Sequence, residues 1–357
     1  MSKAIYHMIG LMSGTSGDGL DLAYCKYQLD ETWHYEILSA STIPFPDKLG
    51  SQLQRAHEMS ALDLQLLDVS FGKWMGEQVK IFCEKSQITP QAVCSHGHTV
   101  FHQPQLGLSL QIGNGWALHQ ASGLKVINDF RMLDVQLGGQ GAPLVPIGDR
   151  HLFPTVDFCI NLGGIANLSI EHQGKRIAFD CCPFNLLLNP LAMKLGKPFD
   201  QDGRWASEGK VDPILLENLN ALSFYQIKGA KSLGREDMEQ VFSPVIEASS
   251  ASEKDKLATL VEHYAIQISK ILQEFSPSKK PHVILTGGGA YHRYFIELLD
   301  KHLDSYWINE LVSNELIEFK EAMIFGFLGV LRLRGEVNCL ASVTHASSDS
   351  SGGTIFG

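Results

Sequence analysis

The chain has 357 residues, of which 44% are hydrophobic and 19% are charged, and its formal net charge at pH 7 is −10. The length favours two domains, and the composition is typical of a globular rather than a disordered protein. The acidic balance argues against nucleic acid as a partner, because binding a phosphate backbone needs a basic stripe and none is visible.

The first half of the chain predicts two strands, a helical region and a third strand. Apolar runs at residues 5–12 and 20–27 flank a turn-forming segment, as in a hairpin. Residues 47–86 repeat apolar side chains at helical spacing. A short strand at 92–94 ends in a polar turn at 95–99. Residues 128–146, rich in Gly, Asp and Pro, are the expected crossing between domains.

The second half repeats this order. We expect a strand–turn–strand unit over 158–170, a third strand that ends on Asp180, a helix over 254–275, and a strand over 282–285 that enters a glycine turn and a helix. The self-similarity predicts an α/β protein of two duplicated domains facing a central cleft, with two unrelated α/β domains as the alternative.

The expected N-terminal domain covers residues 1–130 and the C-terminal domain covers 131–339. The tail, about 340–357, is expected to pack back on the N-terminal domain.

The cysteines and the N-terminus bear on location. Seven cysteines at scattered spacing indicate neither a disulfide framework nor a zinc site. No apolar run approaches the roughly 18 residues of a membrane-spanning helix, and no apolar signal segment opens the chain. We therefore expect a cytoplasmic protein.

The first hairpin is a candidate phosphate site. Its glycines let backbone N–H groups approach an anion, and the hydroxyls of Thr15 and Ser16 add hydrogen-bond donors. Asp18 is suited to bind a magnesium ion or its water shell. A plain hairpin turn is the alternative. The candidate ATP-binding residues here are Gly14, Thr15, Ser16, Gly17, Asp18, Gly19, Leu20 and Asp21.

Two further glycine turns extend this prediction. Gly287, Gly288 and Gly289 follow a buried-type strand, where a nucleotide can lie against the backbone and a helix N-terminus. Gly163 and Gly164 lie in the second predicted hairpin. The spacing fits neither a Rossmann motif nor a P-loop, and a simple strand-to-helix connection is the alternative. Together the turns favour a nucleotide site in a cleft.

Polar residues elsewhere suggest a second ligand. His96, His98 and His102 lack carboxylate partners at ligand spacing, so hydrogen bonding to a substrate or structural packing is favoured over a metal. Arg131 offers a planar fork for a carboxylate or phosphate, or pairs with an aspartate to organise its loop. Asp180 at a strand end is a candidate general base.

Several segments, in order, resemble the anhydro-N-acetylmuramic acid kinase family over nearly the whole chain. They are Gly10–Ser16 with Asp18, Gly19 and Asp21; Ser95, His96 and Gly97 with Thr99; Asp129, Phe130 and Arg131 with Asp134; residues 138–146; residues 161–167; and Gly287–Gly289.

The resemblance implies an actin/hexokinase-like (RNase H-like) fold, ATP and Mg²⁺ as cofactors, and a homodimer. It implies that the enzyme opens 1,6-anhydro-N-acetylmuramic acid with water and phosphorylates O6, with Asp180 taking the proton from the water. It also implies substrate contacts, which we assign to Ser95, His96, Asp129, Arg131 and, as a second acidic position at a helix start, Glu321.

The sequence departs from the family pattern after the expected base. The family usually has Thr-Gly-Pro there, whereas this chain has Cys181, Cys182, Pro183 and Phe184, whose larger side chains are expected to reshape the pocket. His98 and Gly17 also replace the common Gln and Leu. A kinase for another amino sugar and a catalytically silent, nucleotide-binding paralogue therefore remain alternatives.

Overall fold

A computed structural model describes residues 4–13, 19–227, 231–276, 280–304 and 306–357. It divides the chain into two compact units. Unit 1 comprises Met1–Phe153 and Phe319–Gly357, and unit 2 comprises Pro154–Glu318. Unit 1 thus includes residues 131–153 and 319–339, which we had expected in the second domain.

The strands, in chain order, are β1 (Ala4–Ser13), β2 (Gly19–Leu29), β3 (Trp33–Pro44), β4 (Ala92–Ser95), β5 (His98–Gln103), β6 (Leu108–Ile112), β7 (Val126–Asn128), β8 (Phe158–Leu162), β9 (Ile165–His172), β10 (Lys175–Pro183), β11 (His282–Thr286), β12 (Ile308–Asn309) and β13 (Thr354–Phe356).

The α-helices are α1 (Asp47–Gln54), α2 (Ala61–Ser86), α3 (Gly115–Ser122), α4 (Met132–Gln136), α5 (Val145–Leu152), α6 (Asn185–Lys194), α7 (Arg204–Glu208), α8 (Pro213–Asn220), α9 (Arg235–Asp237), α10 (Ser243–Ala248), α11 (Glu253–Phe275), α12 (Arg293–His302), α13 (Asn314–Arg334) and α14 (Ala341–Thr344). Short 3₁₀ turns and one π-helical turn, Met238–Phe242, complete the described elements.

Both units contain the same five-stranded arrangement. In unit 1 the order is β3-β2-β1-β4-β7, and in unit 2 it is β10-β9-β8-β11-β12. In each, the first three strands pair antiparallel and the last two join in parallel. The predicted α/β class with duplicated domains is confirmed, and the alternative of two unrelated domains is wrong.

The tail adds a strand to the first sheet. Residues Thr354–Phe356 pair antiparallel with β7 at its edge. Asp134 of α4 is buried, and its carboxylate accepts hydrogen bonds from the Thr344 hydroxyl at 2.7 Å and the Gly141 N–H at 2.7 Å. The loop before α5 and the tail are thus held together inside unit 1, which is why residues 131–153 belong to it.

The long helices follow from apolar periodicity and N-caps. α2 begins after Ser60, whose side chain accepts the Asp63 N–H, and α11 begins after Ser252, which accepts the Asp255 N–H in the same way. The buried face of α2 belongs to a hydrophobic cluster of unit 1, and that of α11 belongs to a hydrophobic cluster of unit 2. The helical predictions for 47–86 and 254–275 are confirmed.

The predicted polar turn at 95–99 is wrong in part. His98 begins β5, which pairs with β6 as a two-stranded sheet, and His98 lies opposite Ile112. Gly97, at φ 75°, provides the change of direction between β4 and β5.

The helix α13 packs against the first sheet through glycines. A Cβ atom at Gly10 of β1 would overlap the carbonyl of Ala322 in α13. The Tyr27 hydroxyl donates to the Met323 carbonyl at 2.5 Å, which fixes the helix on the same sheet. Backbone packed this closely cannot move aside as a side chain does.

We therefore expect Gly10→Ala to destabilise unit 1 by about 1–3 kcal/mol, as overpacking in a close-packed core does. Chemical denaturation followed by tryptophan fluorescence measures the effect. An unchanged unfolding midpoint would contradict the close contact between β1 and α13.

Candidate functional site

The first predicted phosphate turn is described only at its C-terminal end. Gly14, Thr15, Ser16, Gly17 and Asp18 lie outside the described residues, and with them the predicted magnesium ligand. The strands that flank them pair in register up to Ser13 opposite Leu20, so the predicted antiparallel hairpin strands are confirmed.

Three predicted ATP contacts begin β2, and they differ in environment. Leu20 is fully buried in the core cluster of unit 1. Asp21 is half-buried on the other face of the strand and accepts a hydrogen bond from the Thr42 hydroxyl at 2.5 Å. Gly19 lies against the backbone of Ile43 on β3. Asp21 therefore lies on the face opposite that core cluster, the same face as Tyr27, against which α13 packs.

The other two glycine turns meet in unit 2. Gly163 and Gly164 connect β8 to β9, and Gly287 follows β11, which runs parallel to β8 with Thr286 opposite Asn161. The carboxyl ends of these two strands therefore lie side by side. This is the edge of a parallel pair where ligands bind in open α/β sheets.

Asn161 lies between the two turns. A Cβ atom at Gly163 would stand 3.5 Å from its Nδ2 atom, and a Cβ atom at Gly287 would overlap its Oδ1 atom. Gly287 also has φ 77°, a conformation that favours glycine. Only glycine at position 287 leaves room for this amide.

The structure corrects where the helices begin around the turns. The glycines Gly288 and Gly289 lie in a 3₁₀ turn, Gly288–Tyr291, and α12 starts only at Arg293, where the His292 ring accepts the Phe295 N–H. The N-terminal N–H groups of α6 donate to the carbonyls of Gly163 and Gly164. The glycines therefore open a 3₁₀ turn, and the expected α-helix begins only after it.

The sequence predicted that Asp180 ends its strand, but the structure shows that it does not. β10 continues to Pro183, and a β-bulge interrupts its pairing with β9 between Asp180 and Cys182. The Asp180 N–H donates to the Lys231 carbonyl at 2.9 Å, and its Oδ2 atom accepts the Leu233 N–H at 2.8 Å. A bulge commonly re-aims a side chain beside an active site.

The environment of Asp180 raises its pKa to about 6, because burial disfavours the charged carboxylate, and the Leu233 hydrogen bond offsets this only in part. A carboxylate of this kind is largely ionised at neutral pH and is basic enough to accept a proton. Such tuning is typical of a general base.

The residues after Asp180 face the core. Cys181, Cys182 and Phe184 are fully buried and belong to the core cluster of unit 2, where Phe184 packs against Tyr264 and Phe295. Burial raises the pKa of both thiols, so packing rather than nucleophilic chemistry is their role. Phe184 also lies against Gly289 of the third glycine turn, so the expected effect of these larger side chains on the pocket stays a prediction.

In unit 1, His96 orients Arg131. The Arg131 Nε–H donates to His96 Nε2 at 3.0 Å, so the imidazole proton is on Nδ1, which donates to the Gly97 carbonyl at 2.9 Å. Burial, together with the Arg131 charge, lowers the pKa of His96 well below its usual range. Both ring nitrogens are engaged, and the neutral ring fixes the guanidinium.

Arg131 is held in place on a second side. Its Nη1 atom donates to the Gly141 carbonyl at 2.6 Å. Burial lowers the Arg131 pKa to about 10, and the charge of Glu321 partly opposes this shift. Arg131 is therefore a cation whose orientation is fixed before any ligand binds. The same contacts organise its loop, so the two predicted roles of Arg131 are compatible.

The remaining predicted substrate contacts differ in setting. The Ser95 hydroxyl accepts the Gly97 N–H at 3.1 Å and is fully buried. Asp129, at φ 58°, is exposed and follows β7. Glu321 lies inside α13 rather than at a helix start, and burial raises its pKa. The neighbouring Lys320 forms a buried ion pair with Asp149 at 2.7 Å.

His96, His98 and His102 each have their own hydrogen-bond partners within the described part of the chain. His98 is hydrogen-bonded to Ser13 at 3.1 Å and His102 to Ser109 at 3.0 Å. Within the ranges that the structure describes, no group of three or more His, Cys, Asp or Glu side chains is placed to hold a metal ion.

In the same ranges, no helix is both long and apolar enough to cross a membrane.

Sequence reasoning missed Asn161 and Asn167. They open and close the segment 161–167 that we had treated as a turn, yet Asn161 lies on β8 and Asn167 on β9, directly opposite each other. The shorter turn at Gly163 and Gly164, with strand alternation on each side, would have placed both amides on one face.

Comparison with known proteins gives weak structural and strong sequence matches. The chain is 12% identical to component A of the Acidaminococcus fermentans (R)-2-hydroxyglutaryl-CoA dehydratase, with a TM-score of 0.43, covering 89% of this chain and 95% of that one. It is 12% identical to an ROK hexokinase from Thermus thermophilus, with a TM-score of 0.38, covering 92% and 100%.

Curated relatives span the whole length. Anhydro-N-acetylmuramic acid kinase of Pseudomonas syringae pv. syringae is 32% identical, covering 98% of this chain and 99% of its own. The enzyme of the same name from Mannheimia succiniciproducens is 32% identical over 100% of both chains. The family model for anhydro-N-acetylmuramic acid kinase matches residues 6–357. The resemblance drawn from the motifs is thereby confirmed, and the chain belongs to the anhydro-N-acetylmuramic acid kinase family.

Proposed function

We propose that this protein is a phosphotransferase that hydrolytically opens 1,6-anhydro-N-acetylmuramic acid and phosphorylates O6, giving N-acetylmuramic acid 6-phosphate for the recycling of cell-wall sugar. Membership of the family supports this activity. The single structural observation that carries the chemistry is Asp180, whose pKa is raised to about 6, in the unit that also holds two glycine turns.

In the proposed reaction, water attacks the anomeric carbon and gives its proton to the Asp180 carboxylate. A bond forms between the water oxygen and C1, and the C1–O6 bond breaks with its electron pair going to O6. O6 then attacks the γ-phosphorus of ATP, and the bond to the β-phosphate oxygen breaks, releasing ADP. Phosphoryl transfer takes up the charge on O6, so a second acid is not needed for that oxygen.

ATP is the proposed phosphoryl donor, and the glycine turns at Gly163–Gly164 and Gly287–Gly289 are its proposed contacts in unit 2. The hairpin from Gly14 to Asp21 is its proposed contact in unit 1. Mg²⁺ would neutralise phosphate charge during transfer and needs only one or two protein carboxylates besides the phosphates. Asp21 has an oxygen-donor side chain of the kind that Mg²⁺ prefers, and Asp18 stays a predicted ligand.

Arg131 is the proposed ligand of the carboxylate of the sugar acceptor. Its guanidinium is oriented by His96 and Gly141, and a planar fork of donors suits a carboxylate. His96 then acts as a positioning residue rather than as a direct ligand. Ser95, Asp129 and Glu321 stay proposed members of the same acceptor site.

A kinase for a different amino sugar is the second candidate, and a silent nucleotide-binding paralogue is the third. Cys181, Cys182 and Phe184 belong to the core cluster, which weakens the case that they select a different sugar. The raised pKa of Asp180 suits a general base and so disfavours a silent paralogue. A cytoplasmic location and a homodimer stay predictions.

The direct test incubates the protein with ATP, Mg²⁺ and 1,6-anhydro-N-acetylmuramic acid and follows ADP and the sugar phosphate. Asp180→Asn should bind ATP within about twofold of the parent yet lose turnover by about 10²–10⁴-fold, the usual contribution of a general base. Lys175→Gln, at the exposed start of β10, is the control. Retained turnover in Asp180→Asn would remove the base role.

The pH dependence follows from the direction of the Asp180 shift. The base must be ionised, so kcat/KM should fall about tenfold per pH unit below a limb near pH 6. Initial rates between pH 4.5 and 8 measure this limb. A limb near the ordinary carboxyl value of about 4 would contradict the account.

Arg131→Ala should raise KM for the anionic acceptor at least about tenfold, because a charge-assisted contact to its carboxylate is lost. His96→Ala should raise it by a smaller factor, since Arg131 remains but is less well oriented. Arg55→Ala, at an exposed surface ion pair, is the matched control. Unchanged acceptor KM in Arg131→Ala would assign Arg131 to loop organisation alone.

A further inference from the structure

Four polar side chains form one row across the sheet of unit 2. Thr286 of β11 lies opposite Asn161 of β8, Asn161 lies opposite Asn167 of β9, and Asn167 lies opposite Asp180 of β10. Directly paired residues project their side chains to the same face of a sheet. We call this set the polar row.

The polar row lies on the face of the sheet opposite the core cluster of unit 2, where Thr286 is buried and the other three side chains are half-buried. The residues that alternate with it belong to the core cluster of unit 2, including Ile160 and Leu162 on β8, Leu168 on β9 and Phe179 on β10. Asn167 itself is half-buried. A neutral amide at this position contributes nothing to that apolar cluster, so its place in the row needs another explanation.

Asn167 stands between the proposed base and the proposed phosphate contacts. On one side it neighbours Asp180, and on the other it neighbours Asn161, which lies against both glycine turns. Cβ atoms of directly paired residues are about 4.5–5.5 Å apart. Two strand spacings, about 10 Å, separate Asp180 from Asn161, and Asn167 lies at their midpoint.

The duplicated fold repeats this position. In unit 1, Asp21 is the middle residue of a row in which Met12 of β1 and Thr42 of β3 lie opposite it. Asp21 and Asn167 both occupy the second strand, one pair before the last pair of the hairpin. The fold thus places a polar side chain at the same topological point twice, and in unit 2 it is uncharged.

We propose that Asn167 is a further catalytic residue, whose amide Nδ2–H donates a hydrogen bond to O6 of the sugar as the C1–O6 bond breaks and O6 attacks the phosphoryl group. This assignment rests on the proposed function. A donor aimed at the oxygen that gains negative charge stabilises the transition state more than the bound substrate. No proton changes hands at Asn167.

The neutral amide also suits the neighbouring base. A carboxylate within about 6 Å of Asp180 would disfavour its ionised form, whereas an amide leaves the charge of the base unopposed. An aspartate at this position, as in unit 1, would therefore both repel the phosphoryl group and move the pH range in which Asp180 is ionised.

The test compares Asn167→Ala and Asn167→Asp with the parent and with Lys175→Gln, using ATP, Mg²⁺ and whichever amino sugar the parent phosphorylates. Asn167→Ala should lower kcat by about 10²–10³-fold, as loss of one such donor does, while ATP affinity stays within about twofold. Asn167→Asp, of the same size, should move the acidic limb of kcat/KM upward by about one pH unit.

The outcomes separate this inference from the proposed function. Parent turnover of another amino sugar but not of the anhydro sugar would overturn the proposed function, and the same variants would then be read on the accepted sugar. A kcat in Asn167→Ala within about twofold of the parent, or an unmoved acidic limb in Asn167→Asp, would overturn the role of Asn167. No turnover of any acceptor would overturn both. Equal thermal midpoints verify folding.

Discussion

The proposed chemistry depends on one partly buried carboxylate, that of Asp180. Asp180 lies at a β-bulge, where its backbone pairs with the segment at Lys231 and its side chain accepts the Leu233 N–H. Removal from water costs the ionised form more than this one hydrogen bond returns, so the carboxyl pKa rises to about 6. The same sheet continues from Asp180 through two amides to the glycine turns, so base and proposed phosphate contacts share one rigid element.

In unit 1, a neutral partner orients a charged group. His96 accepts a hydrogen bond from Arg131 and stays uncharged because it is buried, so it directs the guanidinium without adding a second positive charge. In unit 2, the Asn161 amide fills the space beside two glycine turns. The side-chain hydrogen bonds of Arg131 fix its geometry before any ligand binds, which is the usual requirement for positioning.

Much of the fold was predictable because it rests on apolar periodicity. The hairpin strands, the helices over 47–86 and 254–275, and the repeat all follow from local patterns. The β5–β6 pair was missed because β5 begins at His98, inside the segment 95–99 that we had interpreted as a turn. The bulge at Asp180 and the pairing of Arg131 with His96, 35 residues away, arise from tertiary contacts. Asn161 and Asn167 of the polar row were missed because residues 161–167 were interpreted as one turn, whereas only Gly163 and Gly164 connect the two strands.

The base role of Asp180 is tested most directly by measuring the pKa of its own carboxyl group. Protein labelled with ¹³C at the aspartate carboxyl carbons, titrated by NMR beside the Asp180→Asn variant, isolates the signal of this one group. The account predicts a midpoint near 6 without any ligand, since burial in the folded unit is its cause. A midpoint near 4, the ordinary value of an exposed aspartate, would show that the site does not tune its base and would contradict the account.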